Sequence, residues 1–325
     1  MIKEKRLIIS EFKKAFSLRS TGYEQLISGV SRKIILRIYT GNGSYIGIYN
    51  QNVKENLAFF SYTDSFTECG MNVPKVLYIS RNKQLYFLND LGSKTLFDYL
   101  KSGPERENIF RFYERAIKDL VRFQVYGKSF VDFRYCYETL FFDKTQIKSD
   151  FEKFSDYYIK KFSGGKINGK NRFLNSFCAE ILNAPLYLFM YRDFQPRNII
   201  KNRSRLFYVD YQSGRYGPPQ YDLISFLYSG SIDITKEERK ILTDLFYQSI
   251  SEFVHIDKKY FYNSLKYFAL MRIVQLLGSY CYSFYESGNR YTIDKIPNAI
   301  NNLKTLNFRE EVFSDLKNII LDNHS

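Results

Sequence analysis

The feature that most constrains the fold is a change of texture at Asn89-Asp90-Leu91-Gly92. Before it, apolar residues come in runs of strand length: Tyr23 to Ser28, Lys33 to Tyr39, Ser44 to Tyr49, Lys75 to Ile79 and Gln84 to Leu88. Turns such as Gly41-Asn42-Gly43 separate them, as expected of antiparallel strands. Leu7 to Leu18 and Val53 to Thr67 carry helical spacing instead. After Gly92 the helical period takes over, at Thr95 to Lys101, Glu107 to Tyr126, Ser149 to Phe162 and Lys170 to Leu182. It resumes at Leu223 to Tyr228, Lys236 to Phe253, Lys258 to Tyr285 and Ile296 to Leu306. Two apolar runs, Leu186 to Tyr191 and Leu206 to Val209, interrupt it. The pattern predicts an α+β fold of two lobes. Residues 1–91 form a small β-rich lobe and residues 92–325 a larger, mainly helical one, with a hinge at about 88–93.

Composition narrows the partners. The net charge of +14 favours anionic ligands such as nucleotides. The basic residues are scattered, in pairs such as Lys13-Lys14 and Lys160-Lys161, so nucleic acid is not the expected partner. The four cysteines lie far apart, with no CxxC and only two histidines, which argues against a Cys/His zinc site. Thiols so placed read as reduced. No run approaches membrane-span length, and the N-terminus lacks the apolar core of a signal peptide. The expected location is the cytoplasm, without membrane association.

The chemistry concentrates between Tyr191 and Asp222. Asp193 is followed five positions later by Asn198, and Asp210 closes the apolar run Leu206 to Val209. Phosphoryl transfer needs a carboxylate to orient the acceptor hydroxyl and oxygen ligands to hold a metal ion on the phosphates. One such pair is weak evidence, because Asp and Asn are ordinary turn residues. The weight comes from the combination with Arg192 before the aspartate and an aspartate ending the next strand.

Read together, Tyr191-Arg192-Asp193, Arg197-Asn198, Asp210-Tyr211-Gln212, Gly217-Pro218 and Tyr221-Asp222 resemble the catalytic segment of the aminoglycoside-phosphotransferase-like kinases. Within that family the match is nearest to the branch of bacterial anomeric kinases of N-acetylmuramate and N-acetylglucosamine. Leu88 to Gly92 and Asn72-Val73-Pro74 extend the resemblance over most of the chain. It implies a protein-kinase-like fold, ATP and Mg²⁺ as cofactors, and a small-molecule acceptor, with a sugar favoured. Asp193 would be the catalytic base, Asn198 and Asp210 the magnesium ligands, and Asp222 a mainly architectural residue. Adenine would sit against the backbone of Asn89, Asp90 and Leu91. Ser31 and Arg32, in a Gly-containing hairpin, and Arg37 are candidates for phosphate contact. Gln195, Arg197, Gln212 and Asp150 are candidates for contact with the acceptor.

Two departures stand out. The family's loop histidine is Tyr191 here, a position that packs beneath the site rather than moving protons. The third strand, Ser44 to Asn50, has no lysine for the nucleotide phosphates. The alternatives are a kinase of another acceptor, such as an aminoglycoside, choline or a different sugar, and a pseudokinase that binds nucleotide or RNA.

Overall fold

The computed structural model describes residues 2–26, 33–230 and 232–324. Helix α1 (Ile2–Phe16) leads into strands β1 (Gly22–Leu26), β2 (Ile34–Thr40) and β3 (Gly43–Tyr49). Helix α2 (Val53–Glu68) and strands β4 (Val76–Ile79) and β5 (Leu85–Asn89) follow. The strands form one antiparallel sheet in the order β1-β2-β3-β5-β4. Gly43 has φ 137° in the tight turn that pairs Thr40 with Gly43.

Side chains alternate across a strand, so β5 feeds both faces of the sheet. Leu85 and Phe87 point into a cluster with Ile8 and Phe12 of α1. Tyr86 points the other way, with ring centroids 5.4 Å from Phe59 and 5.0 Å from Phe60 of α2. The sheet is therefore covered by a helix on each side. α2 also reaches past the sheet. Phe66 packs edge-on against Phe123 at 4.7 Å, and the Tyr62 hydroxyl donates to the Gly214 carbonyl at 3.2 Å. This helix ties the small lobe to the large one.

The large lobe begins with α3 (Leu96–Lys101), α4 (Arg106–Phe130) and α5 (Lys144–Lys153). A π-helical segment (Phe154–Phe162) continues α5, and α6 (Lys170–Ile181) follows. Four short strands then form two antiparallel pairs: β6 (Leu188–Met190) with β9 (Arg215–Gly217), and β7 (Ile199–Asn202) with β8 (Arg205–Tyr208). Helices α7 (Gln220–Leu227), α8 (Lys236–Ser251), α9 (Lys258–Ser287), α10 (Ile296–Lys304) and α11 (Glu311–Asp322) complete the chain.

The helix expected from Ser149 starts earlier, at Lys144, because Asp143 caps it by accepting the Gln146 N–H at 3.1 Å. It turns π-helical where its backbone crosses α9. A Cβ on Gly278 would stand 2.6 Å from the Phe154 nitrogen, so glycine permits that close crossing. The sequence reading left residues after 306 unassigned, yet α11 forms there with Phe313, Leu316 and Ile320 on one buried face. The remaining expected elements are present, with ends shifted by a few residues, except that Ile27 and Ser28, expected to end the first strand, lie outside the described residues.

Candidate active site

The hairpin of β7 and β8 folds a linear motif into a cluster. Ile199 pairs with Tyr208, and the Val209 N–H donates to the Asn198 carbonyl at 3.1 Å. Residues on either side of the hairpin therefore meet. The Asn198 Nδ2 donates to the Asp193 carbonyl at 2.9 Å and to the Asp210 carboxylate at 3.3 Å. Asp193, Asn198 and Asp210 thus sit in one hydrogen-bonded unit.

Asp222, in the first turn of α7, holds that unit from below. It is fully buried and accepts the N–H groups of Tyr191 and Arg192, each at 2.7 Å, and the Gln124 amide at 3.1 Å. Burial pushes its carboxyl up to about 7, against the pull of these three donors. Tyr191, where the family has histidine, is also fully buried. Its hydroxyl donates to the Val209 carbonyl at 2.6 Å, and its ring meets Phe123, Phe194 and Tyr211 edge-on. It ties the loop carrying Asp193 to the residue before Asp210. Arg192 and Asp210 have φ of 79° and 72°, a region unfavourable for side chains other than glycine. Such backbones cost about 1–3 kcal/mol each and persist where surrounding contacts overdetermine them. Here Asp222 and Tyr191 supply those contacts.

Asp210 is exposed, yet protein surrounds it closely enough that burial raises its pKa. The charge of Asp193 adds to the rise, while Lys33 and the Gln212 amide oppose it. Gln212 is 6% exposed, and its Nε2 donates to Asp210 at 2.7 Å and to Glu55 at 3.3 Å. Its amide nitrogen is thus held between two carboxylates. Glu55, in the first turn of α2, also pairs with Lys33 at 2.5 Å and accepts the Asn50 Nδ2 at 3.0 Å. A line of contacts, Lys33–Glu55–Gln212–Asp210, therefore crosses from the sheet to the catalytic segment. The sequence reading did not single out Lys33. The one available signal was a lysine at the start of the strand beside the lysine-free third strand.

The donor set suits a hard cation. Among the described residues no group of three His, Cys, Asp or Glu gathers. One carboxylate (Asp210) and one amide oxygen (Asn198) match Mg²⁺, which completes its shell with phosphate oxygens and water. The Asn198 amide nitrogen is turned toward protein acceptors, which leaves its Oδ1 for the ion.

At residues 89–92, side chains serve structure. The Asn89 Oδ1 accepts the Lys75 N–H at 2.6 Å. Asp90 accepts from Arg37 Nε at 2.6 Å, from the Ser44 hydroxyl at 2.7 Å and from the Gly92 N–H at 2.9 Å. The Leu91 carbonyl accepts the Asn202 Nδ2 at 3.1 Å. Any adenine contact at these residues falls to main-chain groups. Arg37 also pairs with Glu24 and donates to the Gly92 carbonyl at 2.9 Å, so it is spent on the hinge rather than on phosphate. Burial works against its charge, and Asp90 and Glu24 more than offset that, raising its pKa. Ser31 and Arg32 lie outside the described residues.

A second wall of the candidate site is built from long charged side chains. Arg192 and Arg215 both pair with the same Glu138 oxygen. Burial pushes the Glu138 carboxyl up, but the two arginines outweigh it and leave its pKa lowered. Arg192 also donates to the Gln146 Oε1 at 3.0 Å, and the Gln146 Nε2 donates to Asp150 at 3.2 Å. Asp150 is 5% exposed behind this network, so it reaches the cleft through Gln146 and Arg192 rather than directly. Tyr137 is part-buried, and burial, with the nearby charge of Glu138, raises its pKa. Gln195 is half-buried, and its carbonyl caps the short turn before Asn198. Arg197 is exposed on the same turn, where its charge bears on Lys295.

No family model matches the chain. An N-acetylmuramate/N-acetylglucosamine kinase of Neisseria meningitidis serogroup B is 24% identical over 259 residues, 78% of this chain and 75% of that protein. Among solved structures, the choline kinase LicA from Streptococcus pneumoniae superposes with a TM-score of 0.61 at 14% identity, covering 93% of this chain and 99% of its own. A point mutant of an aminoglycoside 2'-phosphotransferase-IIIa, solved with GDP, gives 0.64 at 13% identity, covering 94% and 98%. The chain therefore has the protein-kinase-like fold of small-molecule kinases. The resemblance read from its motifs holds, and in sequence it is similar to curated N-acetylmuramate/N-acetylglucosamine kinases.

Proposed function

We propose that this protein transfers the γ-phosphoryl group of ATP to the anomeric hydroxyl of an amino sugar, giving a sugar 1-phosphate. The observation that carries the reaction class is the convergence of Asp193, Asn198 and Asp210 in one loop unit anchored on Asp222. Asp193 orients the acceptor hydroxyl and takes its proton as the oxygen attacks the γ-phosphorus and the bond to the β-phosphate oxygen breaks. Asn198 and Asp210 would hold Mg²⁺, which would supply neutralisation of charge on the phosphates. Residues 1–91 act as the nucleotide lobe and 92–325 as the catalytic and acceptor lobe. The amino-sugar acceptor is supported by the name of the Neisseria relative. A cytoplasmic site of action suits an ATP-dependent enzyme. No helix among the described residues is long and apolar enough to cross a membrane.

The test is ADP release with Mg·ATP against N-acetylmuramate, N-acetylglucosamine, other hexoses, choline and aminoglycosides. Phosphorus–proton coupling in the product then locates the phosphate. Turnover on amino sugars with the phosphate on the reducing-end carbon is the expected result. Turnover confined to choline or aminoglycosides replaces the acceptor. ATP binding without turnover on any of them leaves a nucleotide-binding pseudokinase.

A further inference from the structure

We propose that Lys33, at the entry to β2, is the side chain that grips the nucleotide phosphates, and that Glu55 and Gln212 lock its position to Asp210. The proposal rests on the kinase reading above and supplies the cation that the third strand lacks.

Three observations carry it. The first is register. Ile34 pairs with Tyr49, so the start of β2 lies beside the end of β3. A lysine just before Ile34 therefore enters the cleft from almost the same place as one at the end of Ser44 to Asn50. The second is orientation. The Lys33 ammonium is held 2.5 Å from Glu55, and the two side chains are only 12% and 15% exposed. A solvated surface lysine samples many rotamers, whereas this one is aimed. The third is coupling. Glu55 meets Gln212, Gln212 meets Asp210, and the charge of Lys33 bears on Asp210. One end of the line is a cation and the other the carboxylate proposed for the metal, the two kinds of group that a di- or triphosphate with its Mg²⁺ bridges. Arg37, the nearby alternative, is committed to Glu24 and Asp90.

Nucleotide binding to the full chain, measured by calorimetry, separates this role from a structural one. The probes are adenosine, ADP and a non-hydrolysable ATP analogue, with Mg²⁺. Lys33→Met is expected to weaken ADP and the analogue by about 10- to 100-fold, the loss of one charge-assisted hydrogen bond. It should leave adenosine affinity unchanged. Lys33→Arg should recover part of the loss, and Glu55→Gln should weaken phosphate binding less than additively with Lys33→Met. Lys54→Met, on the exposed neighbouring turn, controls for the change in net charge. Equal affinity of wild type and Lys33→Met for the analogue overturns the proposal while leaving the kinase reading intact. So does an equal loss for adenosine and the analogue, the mark of a lysine that only braces the sheet. A wild type that binds the analogue no better than adenosine brings down the kinase reading and this proposal with it.

Discussion

The two walls of the candidate site are built differently. The wall carrying Asp193, Asn198 and Asp210 is held by short ties: backbone N–H groups on Asp222, a tyrosine hydroxyl on the Val209 carbonyl, and an amide between two acidic residues. The second wall is held by long side chains, with Arg192 and Arg215 sharing Glu138 and Gln146 bridging to Asp150. Short ties fix geometry to a fraction of an ångström, which in-line transfer demands. Long ion pairs hold charge in place while leaving shape adjustable. In the proposed kinase the first wall would act on the substrate and the second would select it.

The largest expected effect breaks the first wall. Asp193→Asn should lower kcat by roughly 10²–10⁴-fold, the usual contribution of a positioned base, with unfolding temperature unchanged. Asp210→Ala should be at least as severe. Retained turnover in either variant would remove the proposed roles.

Asp222 comes next, and its effect is divided between stability and rate. Asp222→Ala orphans two buried N–H groups, at about 1–3 kcal/mol each, and lets the Asp193 loop relax. Thermal unfolding and turnover should both suffer. Titration gives a second readout. Burial raises the Asp222 carboxyl from its ordinary 3.8 to about 7. The stability its protonated form provides is present below about 3.8 and is lost as pH rises through about 7. Wild type measured against Asp222→Asn should therefore lose relative unfolding temperature across that window. A constant difference would show that the carboxyl does not titrate there.

The second wall should respond in a different quantity. Glu138→Gln removes the charge that Arg192 and Arg215 share, and should raise KM for the acceptor by about 10-fold, the scale of one weakened charged contact. KM for ATP should not move. If ATP is affected and the acceptor is not, the two walls are not divided as described.

The smallest change is at Tyr191. Tyr191→Phe deletes a single hydrogen bond, about 1 kcal/mol, and should leave most activity. Tyr191→His, the residue expected from the motif it resembles, should also stay active. A collapse of kcat in either would give this phenol more than a packing role.

The contrast between the walls also explains what the sequence could tell. Asp193, Asn198 and Asp210 are legible because one hairpin links them, so their spacing is the geometry. Asp222 is legible because its partners, Tyr191 and Arg192, belong to the same motif. Lys33 is not, because its meeting with Glu55 depends on how β2 lies beside β3 and on where α2 begins. Gln212 looks like an acceptor contact in the linear motif, and only the fold shows both its neighbours to be carboxylates. Glu138 is harder still: Arg192 and Arg215 lie 54 and 77 residues away in the chain. The lobes were readable because their periodicities differ. The early start of α5 hangs on one aspartate cap, and its π-helical continuation coincides with a glycine on a distant helix.

The bond from Asp222 to the amides of Tyr191 and Arg192 also sets a timescale. Those two N–H groups can exchange with solvent deuterium only when α7 and the loop part company. Their exchange should therefore be among the slowest outside regular helices and should report opening of the large lobe. A molecule with that lobe partly open cannot keep Asp193 in place, so intermediate activity in a heated or denatured sample would come from a mixture of intact and inactive molecules.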